Sequence, residues 1–393
     1  MKRFVYGFMA MVVTFFFLTP LTHAEEKQSE QKSVELADKA KSAILMERDT
    51  GAILYDKNSD ERLAPASMTK IMTMILIMEA IQKGNIKWDE KVRTSEYAAS
   101  MGGSQIFLEP GEEMTVKEML QAIAIGSAND ASVAMAEHIS GSEEEFIDMM
   151  NKKVKELGLK NTKFKNPTGL PVDGHYSSAY DMAIMAKELL KYKDITQFTG
   201  MYESYLRDET EKKFWLVNTN KLVKFYPGVD GLKTGFTSEA KYCLTATAKK
   251  NNMRVVAVIF GADTPKERNA QITKMLDYSF SKYQTHPLYK SGEVLGEVKV
   301  SKGKVNKVKA KTDSSVSVLT KKGEKPNKLQ KKIKIMENVK APIQKGDKIG
   351  ELIIKKEGKT LSKTPLIADQ NVKVASWWQL YKKSFSMFTK MES

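Results

Sequence analysis

Residues 67 to 84, SMTKIMTMILIMEAIQKG, constrain the fold more than any other stretch. The apolar side chains fall on nearly every side of a helix, and Gly84 ends it. A helix without a polar face must run through the centre of a domain. Ahead of it, SAILMERDTGAILYDKN reads as two short strands joined at Asp49-Thr50-Gly51. After it, Thr115 with Glu118 and Ser142 with Glu145 form capping boxes before apolar-periodic segments, and SSAYDMAIMAKELLKY continues the helical set. The period then changes. GVDGLKTGFT, KYCLTATAKK and MRVVAVIFGA read as three successive strands, and KERNAQITKMLDYSFSKY as a closing helix. Strands at both ends with helices between predict an α/β (α+β) domain over residues 41–284, its sheet covered by helices.

The two ends of the chain differ from this region. Lys2 and Arg3, an uncharged apolar stretch and Thr22-His23-Ala24 form the pattern of a secretory signal peptide over residues 1–24; a retained membrane helix is the alternative. Residues 25–40 are polar and read as a flexible lead-in. Cys243 is the only cysteine, so an exported chain must rely on its core rather than on an internal disulfide. It lies in a strand-like run and reads as a small buried apolar residue. The net charge is +15, and all of the excess follows residue 284. There, short Val/Ile segments alternate with lysines and turn residues, which predicts a separate small all-β domain over residues 285–375. Residues 376–393 are helical again, with Trp377, Trp378, Tyr381, Phe385 and Phe388 on one face and Lys382, Lys383 and Ser386 on the other.

Chemistry enters at Ser67 and Lys70. At i and i+3 they share one side of a helix. A hydroxyl is a poor nucleophile until a base takes its proton, and a lysine serves as that base once desolvation and a nearby cation lower its pKa. The spacing alone is weak, because Ser-x-x-Lys occurs five times in the chain. Two unique motifs join it. Ser127-Ala128-Asn129 falls between two helical stretches, where a helix cap is the plain reading. Lys233-Thr234-Gly235 falls on a strand, where a surface lysine before a turn is the plain reading.

The ordered trio SxxK, SxN and KTG matches the signature of penicillin-binding proteins and active-site serine β-lactamases. With NPTGLPVDGHYSSAYDMA and GVDGLKTGFTSEAKYCLTATA, the chain resembles the D-alanyl-D-alanine carboxypeptidases, low-molecular-mass penicillin-binding proteins of serine peptidase family S11. The resemblance covers nearly all of the mature chain. It implies a transpeptidase/β-lactamase-like catalytic domain that removes the terminal D-alanine from peptidoglycan stem peptides, is inhibited by β-lactams, and uses no cofactor or metal. It also implies roles. Ser67 would be acylated, Lys70 would be its base, and Ser127 would relay a proton to the leaving D-alanine. Asn129 would hold the substrate amide. Lys233, Thr234 and Gly235 would bind the terminal carboxylate, and the backbone N–H groups of Ser67 and Phe236 would form the oxyanion hole. A β-lactamase or endopeptidase on the same fold and a non-enzymatic wall- or membrane-binding protein are the alternatives.

Two other features are weighed against these. His175 invites a Ser-His-Asp reading, but the base already has a candidate, so it reads as a loop histidine near the site. Glu203-Ser-Tyr-Leu-Arg207 faintly resembles the Glu-x-x-Leu-Asn segment of class A β-lactamases, with Arg207 in place of asparagine. The tail helix reaches only ~22 Å at the usual rise, short of a ~30 Å hydrocarbon core. Residues 376–390 are therefore expected to lie in a membrane interface, or else to pack on the β domain. The expected location is the outer face of the cytoplasmic membrane, with peripheral attachment through this helix; partial secretion is the alternative. The lysine-rich domain would face anionic lipid or wall polymer, or be a solvated surface. An exported chain excludes nucleic acid as a partner.

Overall fold

The computed structural model describes residues 34–381. The expected signal peptide, most of the lead-in and the tail from Lys382 onward lie outside the described residues. The packed chain starts within the lead-in expected over 25–40. Leu36, Ala37 and Ala40 are buried, in one apolar cluster with Ile272 and Met275.

The catalytic region is built on five antiparallel strands: β1 (Ser42–Glu47), β2 (Ile53–Lys57), β3 (Val229–Thr237), β4 (Lys241–Lys250) and β5 (Met253–Ala262). Their order across the sheet is β2-β1-β5-β4-β3, so β3 is an edge. Both faces are covered. Ile44, Met46, Val256, Val258 and Phe260 point into one cluster, and Ala43, Leu45, Val255, Ala257 and Ile259 into the other. This is the period-two alternation of a strand, with apolar residues at both phases. The first cluster holds helices α1 (Lys70–Lys83), α2 (Asn129–Ser140), α3 (Glu143–Glu156) and α4 (Ala179–Leu189); the second holds α5 (Pro265–Lys282). Each Leu, Ile or Met buried between these layers contributes roughly 1.5–3 kcal/mol.

Helix α1 is buried on every side, from Ile71 to Met78. Gly84 ends it in the left-handed conformation (φ 75°), its N–H reaching back to Ala80 and Ile81. The Thr115–Glu118 capping box forms in full; of the second, the Ser142 half is formed. One expectation needs correction. Ser67 does not lie in the α-helix. Ala66–Thr69 is a 3₁₀ turn, and α1 begins at Lys70. The turn is entered through Ala66 at φ 46°, a left-handed conformation costly for a residue with a Cβ.

The C-terminal region begins with a strand at Tyr283–Tyr289, two residues ahead of the expected boundary, which pairs with Val316–Lys321. A six-stranded sheet follows, around a small core that includes Val298, Ile349, Leu352 and Leu366. Its edge strand, Leu329–Ile335, leaves Lys331, Lys332 and Lys334 exposed. The helical turn at Trp377–Tyr381 is the last described element, with its three aromatic side chains exposed.

Candidate active site

The 3₁₀ turn, the start of α2 and edge strand β3 meet at one place. Gly235 shows how closely. A Cβ there would lie 2.7 Å from the Pro65 carbonyl oxygen and 3.1 Å from the Ala66 Cβ, so only glycine lets β3 approach the turn. Gly169 does the same from the other side, since its added Cβ would meet the Ala66 carbonyl oxygen at 1.9 Å. The strained Ala66 is thus held between two glycine contacts, and Ser67 follows it, half-buried.

Lys70 is fully buried. Its Nζ donates to Asn129 Oδ1 at 2.6 Å and to the Thr168 carbonyl at 2.7 Å, and lies 3.3 Å from Ser67 Oγ. Burial holds its ammonium well below the ordinary lysine value. The charge of Lys233 adds to that effect, and the Asp130 carboxylate opposes it. Lys233 is 1% exposed and is itself pulled down to about 7, by burial first and by Arg268 second.

Asn129 is the first residue of α2 and does not serve as its cap. Its Nδ2 donates to the Gly102 carbonyl at 2.6 Å and its backbone N–H to Ser104 at 2.7 Å. Asp130 fixes the same loop. Its buried carboxylate accepts the N–H groups of Ile106 at 3.0 Å and Leu108 at 3.1 Å. Ser127 ends the preceding helical stretch at φ 64°, buried. Among the described residues, no hydrogen bond joins it to Ser67 or Lys70. Thr234 Oγ1 donates to Thr219 Oγ1 at 2.7 Å. The Phe236 side chain is exposed against Tyr242, their ring centroids 4.4 Å apart.

Lys70 therefore contacts both Ser67 and Asn129, Gly235 packs on the Ser67 turn, and Lys233 is joined to Lys70 electrostatically. Sequence reasoning missed Thr168, Thr219 and Asp130. Asp130 directly follows the SxN motif, and a charged residue at the start of a buried helix was a usable signal. The carbonyl of Thr168 left none.

His175 stands apart from the nucleophile. Its Nδ1 accepts the Lys165 N–H at 3.2 Å, so Nε2 carries the proton and donates to Thr69 Oγ1 at 2.8 Å. Burial pushes its pKa down to about 4. It is a neutral brace on the Ser67 turn. Arg207 is bound to Glu112 (2.6 Å) and to the Ile106 carbonyl, and Glu203 accepts from the Trp215 indole at 3.2 Å. Cys243 is buried in β4, and burial pushes its thiol up to about 11. Among the described residues no cluster of side chains could hold a metal ion.

The profile of the D-alanyl-D-alanine carboxypeptidase family matches residues 26–264. The chain belongs to this family. The profile of the penicillin-binding protein 5 C-terminal domain matches residues 283–374. The D-alanyl-D-alanine carboxypeptidase DacF of Bacillus subtilis is 64% identical over 392 residues, covering 100% of both chains. DacC of Escherichia coli is 32% identical, covering 93% of this chain and 91% of its own. Among solved structures, penicillin binding protein 5 of Haemophilus influenzae superposes with a TM-score of 0.65 at 32% identity, covering 85% of this chain and 98% of that one. The family's mixed catalytic domain with a C-terminal all-β domain is the architecture described above.

Proposed function

We propose that this chain is a serine-type D-Ala-D-Ala carboxypeptidase that removes the terminal D-alanine of peptidoglycan stem peptides through an acyl-Ser67 intermediate. The observation that carries this is the surroundings of the Lys70 amine. A neutral amine has two N–H donors and one lone pair. Asn129 Oδ1 and the Thr168 carbonyl take the two protons, at 2.6 and 2.7 Å. The third neighbour is Ser67 Oγ at 3.3 Å, so the lone pair faces the hydroxyl. Burial, and after it the charge of Lys233, lower the pKa of the amine and so favour that neutral form.

In this reading Ser67 Oγ attacks the penultimate D-alanine's carbonyl carbon while Lys70 takes the hydroxyl proton. The N–H groups of Ser67 and Phe236 receive the developing oxyanion. The C–N bond breaks, and Ser127 passes a proton to the departing amine of D-alanine. Water then hydrolyses the ester. Asn129 holds the substrate amide. Lys233, Thr234 and Gly235 take the terminal carboxylate, with Gly235 letting the strand lie close. A penicillin follows the same first step. Its ester lasts longer, because the opened ring keeps the leaving amine tethered beside the ester, where the hydrolytic water must enter.

We also propose that residues 1–24 direct export and that residues 376–390 hold the enzyme on the outer face of the cytoplasmic membrane. Trp377, Trp378 and Tyr381 are 75, 64 and 52% exposed, the disposition of an interfacial aromatic anchor. Among the described residues no helix is long and apolar enough to cross a membrane.

The test is D-alanine release from a D-Ala-D-Ala peptide, with and without penicillin, followed by mass mapping of the adduct. Release that penicillin abolishes, with the adduct on Ser67, is expected. Rapid penicillin turnover without peptide cleavage, or an adduct elsewhere, would contradict it. A cross-linked muropeptide run in parallel separates carboxypeptidase from endopeptidase.

A further inference from the structure

The Thr168 carbonyl is one of the two acceptors that take protons from the Lys70 amine, and it is presented by a loop. Connecting segments are more mobile than the elements they join, so a carbonyl used in this way must be held. The local sequence, Asn166-Pro167-Thr168-Gly169, has turn chemistry. Pro167 fixes its own φ and restricts the residue before it. Gly169 takes φ 84°, where a Cβ is unfavourable.

The Asn166 side chain winds these residues together. Its Oδ1 accepts the Gly169 N–H at 2.7 Å, the Thr168 N–H at 3.2 Å and the Thr168 hydroxyl at 3.0 Å. Its Nδ2 donates to the Leu170 carbonyl at 2.9 Å. The loop held in this way meets the catalytic elements at three points. The Thr168 carbonyl accepts from Lys70 Nζ at 2.7 Å, and the Pro167 carbonyl accepts from Thr73 Oγ1 at 2.7 Å. Lys70 and Thr73 are at i and i+3 on α1, so two successive loop carbonyls follow one face of that helix. Gly169 lies against the Ala66 carbonyl, at the entrance to the Ser67 turn. Asn166 bonds only within the loop, yet the loop touches both the base and the nucleophile's turn.

We propose that Asn166 is a positioning residue for acylation. It fixes the Thr168 carbonyl, the carbonyl fixes the Lys70 amine, and the lone pair is thereby kept toward Ser67 Oγ. The inference rests on Lys70 acting as the base of Ser67. A neutral amine rotates about its Cε–Nζ bond, and two acceptors in place select one orientation. With the carbonyl displaced, Asn129 Oδ1 alone does not select it, and a proton can face the hydroxyl in place of the lone pair.

Penicillin acylation of the full chain tests this, with rapid-mixing kinetics that separate initial binding from the chemical step. Asn166→Ala should slow the chemical step about tenfold to a hundredfold, the scale of a catalytic group misplaced by an ångström or so. Initial binding should stay within about twofold, since the substrate-holding groups are untouched. Asn166→Asp keeps acceptor oxygens for Thr168 and Gly169, as an Asx turn does, and should recover most of the loss at its own optimum pH. Asn166→Ser keeps one shorter acceptor and should fall between Asp and Ala; the Asp and Ser variants carry the test if the Ala variant does not fold. Ile272→Val, a change on the other face of the sheet, controls for general loosening and should stay within about twofold. A chemical step unchanged in the Ala and Ser variants, a loss that Asp does not relieve, or a loss shared equally by binding and chemistry overturns the positioning role alone. A Lys70→Met chain that acylates as fast as the parent overturns the base, and this inference with it.

Discussion

Lysine does opposite things in the two halves of this molecule. In the catalytic half, Lys70 and Lys233 are 0 and 1% exposed, and burial is the first cause of the lowered pKa of each. In the β domain, Lys331, Lys332 and Lys334 stand in solvent on an edge strand. The residue type is the same, so the surroundings decide the chemistry. An ammonium in water is a solvated charge that keeps sheet edges from pairing with other chains. Taken out of water beside a second cation, the same group sheds its proton and becomes a base.

The largest effect that could break this contrast is on acylation. Lys70→Met should slow penicillin acylation by ~10³-fold or more, the scale of a lost general base. Changing Lys331, Lys332 and Lys334 together to Met should leave the rate within about twofold, away from any such feature. Fluorescent-penicillin labelling over time measures both, and similar rates for the two variants would end the comparison.

Next is packing. Gly235→Ala should lower unfolding stability by about 1–3 kcal/mol, the scale of an overpacked contact, and slow acylation as β3 moves off the turn. Lys332→Ala on the exposed strand should stay within about 0.5 kcal/mol of the parent. Denaturant melts compare the two.

The pH profile sharpens the account of the buried pair. Protonated Lys233 attracts the substrate carboxylate, and in the free enzyme it titrates at about 7. So kcat/KM should fall as pH rises through that value. Lys70 acts on the other limb. Its pKa is lowered, its neutral form is lost only on acidification, and the rate should drop below that lowered value. Lys233→Arg should carry the alkaline limb upward, because a guanidinium keeps its proton. An unmoved limb would remove Lys233 from the profile.

The smallest effect expected on catalysis is from the far end. A chain lacking residues 376–393 should retain activity within about twofold and stay in the supernatant when membranes are pelleted. Undiminished pelleting would refute the anchor.

Much of the fold was legible because it is local. The all-round apolar run from Ile71 to Met78, the Thr115–Glu118 box and the three strands around Lys233 each carry their signal within a few residues. The three motifs were legible by resemblance. The arrangement that makes Lys70 a base was not. It depends on Asn129 and on the Thr168 carbonyl, 59 and 98 residues away, and a backbone carbonyl leaves no mark in the sequence. Nor could spacing tell that Ser67 sits in a 3₁₀ turn behind a left-handed Ala66. The turn packs closely against Gly169 and Gly235, which are distant in sequence.

The central claim is that Lys70 is an uncharged amine beside Ser67. A lysine-selective nitrogen NMR titration tests it directly, with the Lys70→Met spectrum identifying the resonance. The account predicts a neutral-amine shift for Lys70 at neutral pH, moving to the ammonium shift only on acidification. An ammonium shift at neutral pH would contradict it.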